Sequence, residues 1–453
     1  MSDQAAPRLA AALDALTREL TDPPVRPGAA EYERLRAVWN AAIDRRPGAI
    51  VRCGDLEDVV RTVRIAAAHD VPVTVRGGGH NVAGRSIADG ALLLDLSRLR
   101  GVDVHAATRR ATVQGGAHWA DLDAATARHG LATTGGLVST TGVAGLTLGG
   151  GVGWLMRRHG LACDNLRRAS VVLGDGRLVR ASAEEHPDLY WALCGGGGGF
   201  GVVTELEFDL HPVQDVVAGL TVFAAADAVA VLERFRDVVP DAPDEFCALA
   251  VLTHAPPLPF LAPDWHGRPV VIVATCWCGA PGQGDAVQAA LVGSRPPLAA
   301  HVGPMPYVTW QRMQDPGAPA GRYQYWKTAN LATLSDATIA RLATAAGELP
   351  TPTFEIHVQH LGGAVARRSA GATAFASRDV PFFVNLIGCA AEAGAFGAVR
   401  EFARRVHGEL AAEALGSRQP NFTGQDDPGE PGAAVAGRLA EVRARYAGRV
   451  FAG

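Results

Sequence analysis

The stretch that most constrains this chain is Val71-Pro-Val-Thr-Val-Arg76-Gly77-Gly78-Gly79-His80-Asn81. Its first half alternates with the period of two that marks a strand. Three glycines follow, then a histidine. Glycines admit positive φ and bring bare backbone N–H groups close to a ligand. Successive N–H groups in such a turn form a concavity for anions, most often phosphate. A histidine directly after that cradle points to a ligand that an imidazole contacts or bonds. Taken alone, the same residues also describe a glycine-rich turn with a solvent-facing histidine.

Upstream, Ala49–Arg52 reads as a short strand and Asp55 as the N-cap of a helix. Leu56, Val59, Val60, Val63, Ala66 and Ala67 share one face of that helix. The chain returns through Val71–Val75, giving a βαβ unit with the glycine turn at the carboxyl end of its second strand. Ligands sit there in open α/β folds. The G-x-G-x-x-G spacing and downstream acidic residue of a dinucleotide Rossmann site are missing, so an NAD site is not expected.

A second glycine-rich stretch, Gly142-Val-Ala-Gly145-Leu-Thr-Leu-Gly149-Gly-Gly151-Val-Gly153-Trp154, leads into His159-Gly-Leu-Ala-Cys163-Asp-Asn165. The segment from Leu131 to Gly153 carries no charge, a composition suited to wrapping a large, flat, partly anionic ligand. In this order and spacing the two motifs resemble those of flavoprotein oxidases of the vanillyl-alcohol oxidase type, within the berberine-bridge-enzyme-like branch. The resemblance runs from about Val51 to Phe451.

That resemblance implies an α+β fold in two parts. Residues 1–215 would form a PCMH-type FAD-binding domain, and 216–415 an antiparallel-sheet substrate cap with flanking helices. Residues 416–453 would return to the FAD domain. It implies FAD as cofactor, bonded through its 8α-methyl to His80 and through C6 to Cys163. By the same resemblance Arg76, Gly77, Gly78, Gly79, Asn81 and Val82 hold the pyrophosphate, mainly through backbone N–H groups. Ser139, Thr140, Gly142, Gly145, Leu146, Gly149, Gly150, Gly151 and Gly153 line the flavin from the second side, and Gly201 and Val203 lie near the adenine and the ring. The chain departs from the pattern at Gly199, where the family usually has Asn before Phe-Gly.

The catalytic base is harder to place. Many members use a tyrosine in a Y-x-N-Y motif near the C-terminus, and the matching residues here are Gln419-Pro-Asn421-Phe422. Phe422 cannot take a proton. Asn421 remains as a polar contact near the flavin, and Gln359 stands at a cap position that is tyrosine in several relatives. Aromatic-rich cap strands offer Tyr323, Tyr325, His357 and His360, of which Tyr325 and His357 are the preferred acid/base candidates. By alternation Glu355, His357 and Gln359 share one strand face.

Composition narrows the function classes. Net charge is −4 over 453 residues with no long basic run, which argues against nucleic acid or an acidic membrane as partner. No leader or membrane-spanning segment is read, so a cytoplasmic monomer or homodimer is expected. Seven cysteines are scattered without a disulfide framework. Cys276 and Cys278 share a strand face without a His/Cys cluster, which points to core packing and no metal site. The expected activity is oxidation of an alcohol, a hemiacetal sugar or a bulky secondary metabolite, with O2 as acceptor and H2O2 as product. The alternative is a flavin-containing protein that sequesters a metabolite, or a non-redox cyclase using the same cleft.

Overall fold

The computed structural model describes residues 5–416, 419–426 and 432–451. Residues 1–4, the start of the segment read as lacking a leader, lie outside the described residues. The chain opens with the amphipathic helix Ala5–Glu19. Strands Ala49–Arg52, Leu92–Asp95 and Val73–Arg76 form a parallel sheet in that spatial order. The two strands of the expected βαβ unit therefore flank a third rather than pairing directly. Asp55 caps the intervening helix Leu56–Ala68, its side chain accepting from the Asp58 N–H at 2.9 Å. Val59, Val63 and Ala66 of that helix are buried against the sheet and the N-terminal helix.

Next to it stands a five-stranded antiparallel sheet, in the order Val102–His105, Arg110–Gln114, Val202–Asp209, Leu166–Val172 and Leu178–Ser182. The loop expected from Leu131 to Gly153 contains a short helix, Val143–Leu148. Its glycine-rich, uncharged sequence carries little amphipathic signal.

From Asp215 the chain builds an eight-stranded antiparallel sheet. Its order is Ala299–Pro306, Asp215–Ala224, Pro269–Trp277, Phe246–His254, Glu355–His360, Phe382–Ala390, Tyr323–Leu331 and Ala414–Leu415. Alternation divides its residues cleanly. Ala250, Leu252, Ile356, Val358, Val384 and Leu386 pack under the helices Ala228–Val238, Asp336–Ala346 and Phe396–Leu410. Cys247, Leu249, Val251, Ile272 and Ala274 face the other way, into the core shared with the glycine-rich loops. The sheet thus turns one face to its own helices and the other to the motif-bearing half of the chain. The helix Ala433–Tyr446 returns to that half, where Val450 accepts a hydrogen bond from the Val73 N–H at 2.7 Å. Among the described residues, no helix is long and apolar enough to cross a membrane.

Candidate active site

The two glycine motifs are interlocked. A Cβ on Gly78 would stand 2.4 Å from the Gly142 nitrogen, and one on Gly77 would stand 2.8 Å from the Gly115 carbonyl oxygen. Only glycine lets these loops approach so closely. Between them and the eight-stranded sheet opens a cavity of about 1410 Å³. Small-molecule pockets are usually roughly 300–1,000 Å³, so this one has room for two ligands side by side. Gly77–Gly79, His80, Asn81, Gly142, Gly145, Leu146, Gly149, Gly201 and Val203 line it from the motif-bearing half. Val251, Thr253, His254, Glu355, His357 and Ile387 line it from the sheet, and Asn421 and Phe422 from the C-terminal segment.

His80 stands at the wall of this cavity, stacked on Trp39 with ring centroids 4.1 Å apart and planes 17° from parallel. Its Nε2 is buried without a hydrogen-bond partner. Burial holds its pKa down to about 4, with a hydrogen bond to its own backbone opposing and His118 adding to the shift. The imidazole is therefore neutral at ordinary pH, with a nitrogen lone pair available for bonding. An unsatisfied buried nitrogen is costly unless something meets it. Together with the glycine cradle and the size of the cavity, it fits a dinucleotide that His80 touches.

Several of the residues expected at that wall are not among those lining the cavity. Arg76 pairs with the buried Asp95 at 2.8 Å and donates to the carbonyls of Leu35 and Ala37, so its guanidinium anchors the strand end instead of facing a ligand. Val82 is buried and offers its carbonyl to Asn40. The Ser139 hydroxyl and N–H donate to Asp315 at 2.6 and 2.8 Å, and Thr140 is exposed. Gly150, Gly151 and Gly153 lie behind the lining, against Phe375, Ala162 and the Gly135 carbonyl.

Cys163 stands apart from His80. It is fully buried, its N–H donates to the Gly150 carbonyl at 2.9 Å, and it does not line the cavity. Burial, then the adjacent Asp164 carboxylate, pushes its thiol well above the usual range, against the opposing pull of Arg378 and Arg368. A thiolate is the attacking form. The structure places Cys163 behind the lining and not at the wall beside His80.

On the cap sheet, His357 and Glu355 face the cavity as a pair, His357 Nε2 to Glu355 Oε2 at 2.7 Å. Gln359 shares their face but lies beyond the end of the main cavity, beside Trp154, Met156 and Cys247. Tyr325 points the opposite way. Its hydroxyl donates to Asp426 at 2.6 Å and accepts from Arg404 at 2.8 Å, and burial followed by that carboxylate pushes its pKa up to about 12. It is not a base for this cavity. Asn421 does line the cavity, but both ends of its amide are engaged. Nδ2 donates to the Leu146 carbonyl at 3.1 Å and Oδ1 accepts from the Gly151 N–H at 3.0 Å. It staples the glycine loop to the C-terminal segment, a positioning role. Trp39, Glu355, His254 and Arg443 also line the cavity and were not singled out by motif. Trp39, His254 and Arg443 lie far in sequence from the glycine stretches with no local pattern to mark them, whereas strand alternation already set Glu355 on the face of His357.

Comparison with known proteins agrees with this geometry. Residues 47–182 match the FAD binding domain family. An FAD-linked oxidoreductase of Dictyostelium discoideum is 30% identical over 345 residues, 75% of this chain and 73% of that protein. (R)-6-hydroxynicotine oxidase of Paenarthrobacter nicotinovorans is 33% identical over 245 residues, 53% of this chain and 52% of that protein. Among solved structures, BBE-like 1 of Physcomitrella patens superposes with a TM-score of 0.87 at 21% identity, covering 97% of both chains. Xylooligosaccharide oxidase of Myceliophthora thermophila gives 0.80 at 22% identity, covering 98% of this chain and all (100%) of that one. With its interlocked glycine loops, its antiparallel cap sheet and this sequence kinship, the chain belongs to the FAD-linked oxidoreductases, and its fold is that of the BBE-like structures.

Proposed function

We propose that this protein is an oxidase of bulky, largely apolar hydroxylated metabolites, with FAD tethered through His80 alone. Residues 1–215 hold the cofactor in this reading, 216–415 cover the substrate, and 416–453 close over the flavin side. The observation that carries the proposal is one cavity shared by His80, with its unpartnered Nε2, and the His357–Glu355 pair. Bound FAD supplies hydride acceptance from substrate carbon and return of the electrons to O2 as H2O2.

The protein's own residues account for the rest. Glu355 accepts from His357 Nε2–H, which leaves Nδ1 as the acceptor nitrogen of the ring. His357 takes the hydroxyl proton as the carbinol carbon loses hydride, and a ketone or aldehyde results. Phe422 stacks toward Trp326, with ring centroids 6.1 Å apart, and adds apolar surface instead of a base. Leu220, Val251, Ile272, Ala274 and Ile387 give the cap an apolar floor, with Thr253, His254, Gln324 and the His357–Glu355 pair as its polar points. Such a wall suits a multi-ring compound better than an oligosaccharide, whose hydroxyls would each need a partner.

The test begins with acid precipitation of purified protein and peptide mass mapping of the pellet, followed by a peroxide assay over a panel of hydroxylated metabolites. A flavin adduct on the His80 peptide and peroxide from a polycyclic alcohol are expected. An adduct at Cys163 would contradict the single-link reading. Tight binding of every candidate with no flavin reduction under anaerobic conditions would favour sequestration.

A further inference from the structure

The cavity has a second end. His80 and Trp39 lie on the side of the cap sheet, where the Trp39 ring meets Trp326 at 5.8 Å. Arg443 lies elsewhere, on the returning helix Ala433–Tyr446, and lines the cavity with Gly199, Gly201, Val203 and Phe451. None of these four belongs to the cap sheet. The Arg443 guanidinium stacks over the Phe200 ring at 5.1 Å, and its Nε is buried with no hydrogen-bond partner. A guanidinium carries five N–H donors in a rigid fork suited to phosphate. Leaving such a donor buried and unmatched is costly.

The glycine run explains how the guanidinium gets there. A Cβ on Gly199 would lie 3.4 Å from Arg443 Nε and 3.8 Å from Nη2, so a side chain there would pack directly against the guanidinium, at a φ of +92° that favours glycine. A Cβ on Gly197 or Gly198 would meet nothing within 4 Å, so their backbone faces open space. The helix bearing Arg443 is held in place independently of the cavity. Tyr446 Oη donates to Asp188 at 2.8 Å, Arg445 reaches the same carboxylate at 2.6 Å, and Arg438 stacks on Trp191 at 3.8 Å.

We infer that Arg443 is a cofactor-binding residue that recognises the adenylate half of FAD, delivered by the closing helix opposite the bare glycine run. This rests on the reading of the cavity as the FAD site. It makes docking of the C-terminal helix part of cofactor selection, because a flavin lacking the adenylate half would not engage Arg443.

The test uses the full chain with His80→Ala, so that flavin exchanges freely. Affinities for FAD and FMN are measured by flavin fluorescence, with and without Arg443→Ala or Arg443→Lys. Arg443→Ala should weaken FAD about tenfold or more while FMN changes little, since one charge-assisted contact is lost. Arg443→Lys should recover part of the difference, and AMP should compete with FAD in the parent more strongly than in Arg443→Ala. FMN binding doubles as the folding control. Unchanged FAD affinity in Arg443→Ala would overturn the inference, as would equal weakening of FAD and FMN, which would mark Arg443 as merely structural. Absence of flavin from the purified wild-type protein, with no FAD binding to it, would instead overturn the site assignment, and this inference with it.

Discussion

His80 and Trp39 lie face to face, ring centroids 4.1 Å apart, although 41 positions separate them in sequence (80 − 39). The indole fixes the plane of the imidazole and so the direction of its bonding nitrogen. Such a stacked pair contributes roughly 0.5–1.5 kcal/mol beyond burial. Trp39→Ala should leave the protein folded but lower the fraction carrying covalent flavin, read as in-gel flavin fluorescence after denaturation. Trp39→Phe should retain most of it and His80→Ala none. Full flavinylation of Trp39→Ala would mean that the indole does not orient the ring.

Glu355 and His357 share a strand face, and their 2.7 Å contact is the polar pair that the cap turns to the cavity. Loss of a positioned general base typically costs about 10²–10⁴-fold. His357→Gln should slow anaerobic flavin reduction by a factor in that range, with flavin content and substrate affinity much less affected. Glu355→Gln keeps a hydrogen-bond partner and should cost less. Equal kcat values for wild type and His357→Gln would remove the pair from the mechanism.

Much of this arrangement was legible in the sequence. Asp55 as a helix cap, the alternation of the cap strands and the glycine turn before His80 are local patterns, set by periodicity and backbone sterics. Facing was not legible. Period two says that Tyr323 and Tyr325 lie opposite Gln324 and Trp326, but not which pair meets the ligand. The structure turns Gln324 and Trp326 to the cavity and Tyr325 to Arg404 and Asp426. The depth of Cys163 was hidden for a related reason. A motif assigns a residue to a loop, but the packing of Ala162 behind Gly151 decides that its side chain sits behind the wall. Arg443 and Trp39 reach the cavity only through tertiary packing of distant segments.

Behind the glycine loop, Arg378 and Asp164 form an ion pair at 2.6 Å whose side chains are 3% and 4% exposed. Arg378 also donates to Thr373 at 2.7 Å. Removing Arg378 leaves the buried Asp164 carboxylate only the half-exposed Arg368 at 3.4 Å as ionic partner, and the loss of one partner of a buried pair costs up to about 3–5 kcal/mol. Arg378→Met should therefore lower the denaturation midpoint sharply. The double variant Arg378→Met with Asp164→Asn should be less damaged than the sum of the singles. Additive losses in chemical denaturation would show that the two groups do not act as a pair.

Asp123 sits wholly inside the core, reached at 3.3 Å by the Gln311 Nε2 amide. Burial pushes its pKa from 3.8 to about 7, with the Gln311 hydrogen bond opposing and Asp315 adding to the rise. Between those values the folded protein keeps a proton that the unfolded chain has released. Stability therefore falls as pH rises through that window, and the loss is complete above the folded value. Asp123→Asn preserves shape and removes the ionisation. Its advantage over wild type should be small near pH 4, grow toward pH 7 and level off above it, reaching on the order of a few kcal/mol. Melting temperatures of the two proteins across that range provide the check. Parallel curves would show that Asp123 does not carry this linkage, whereas an advantage that shrinks as pH rises would mean that the carboxylate is stabilised in the fold.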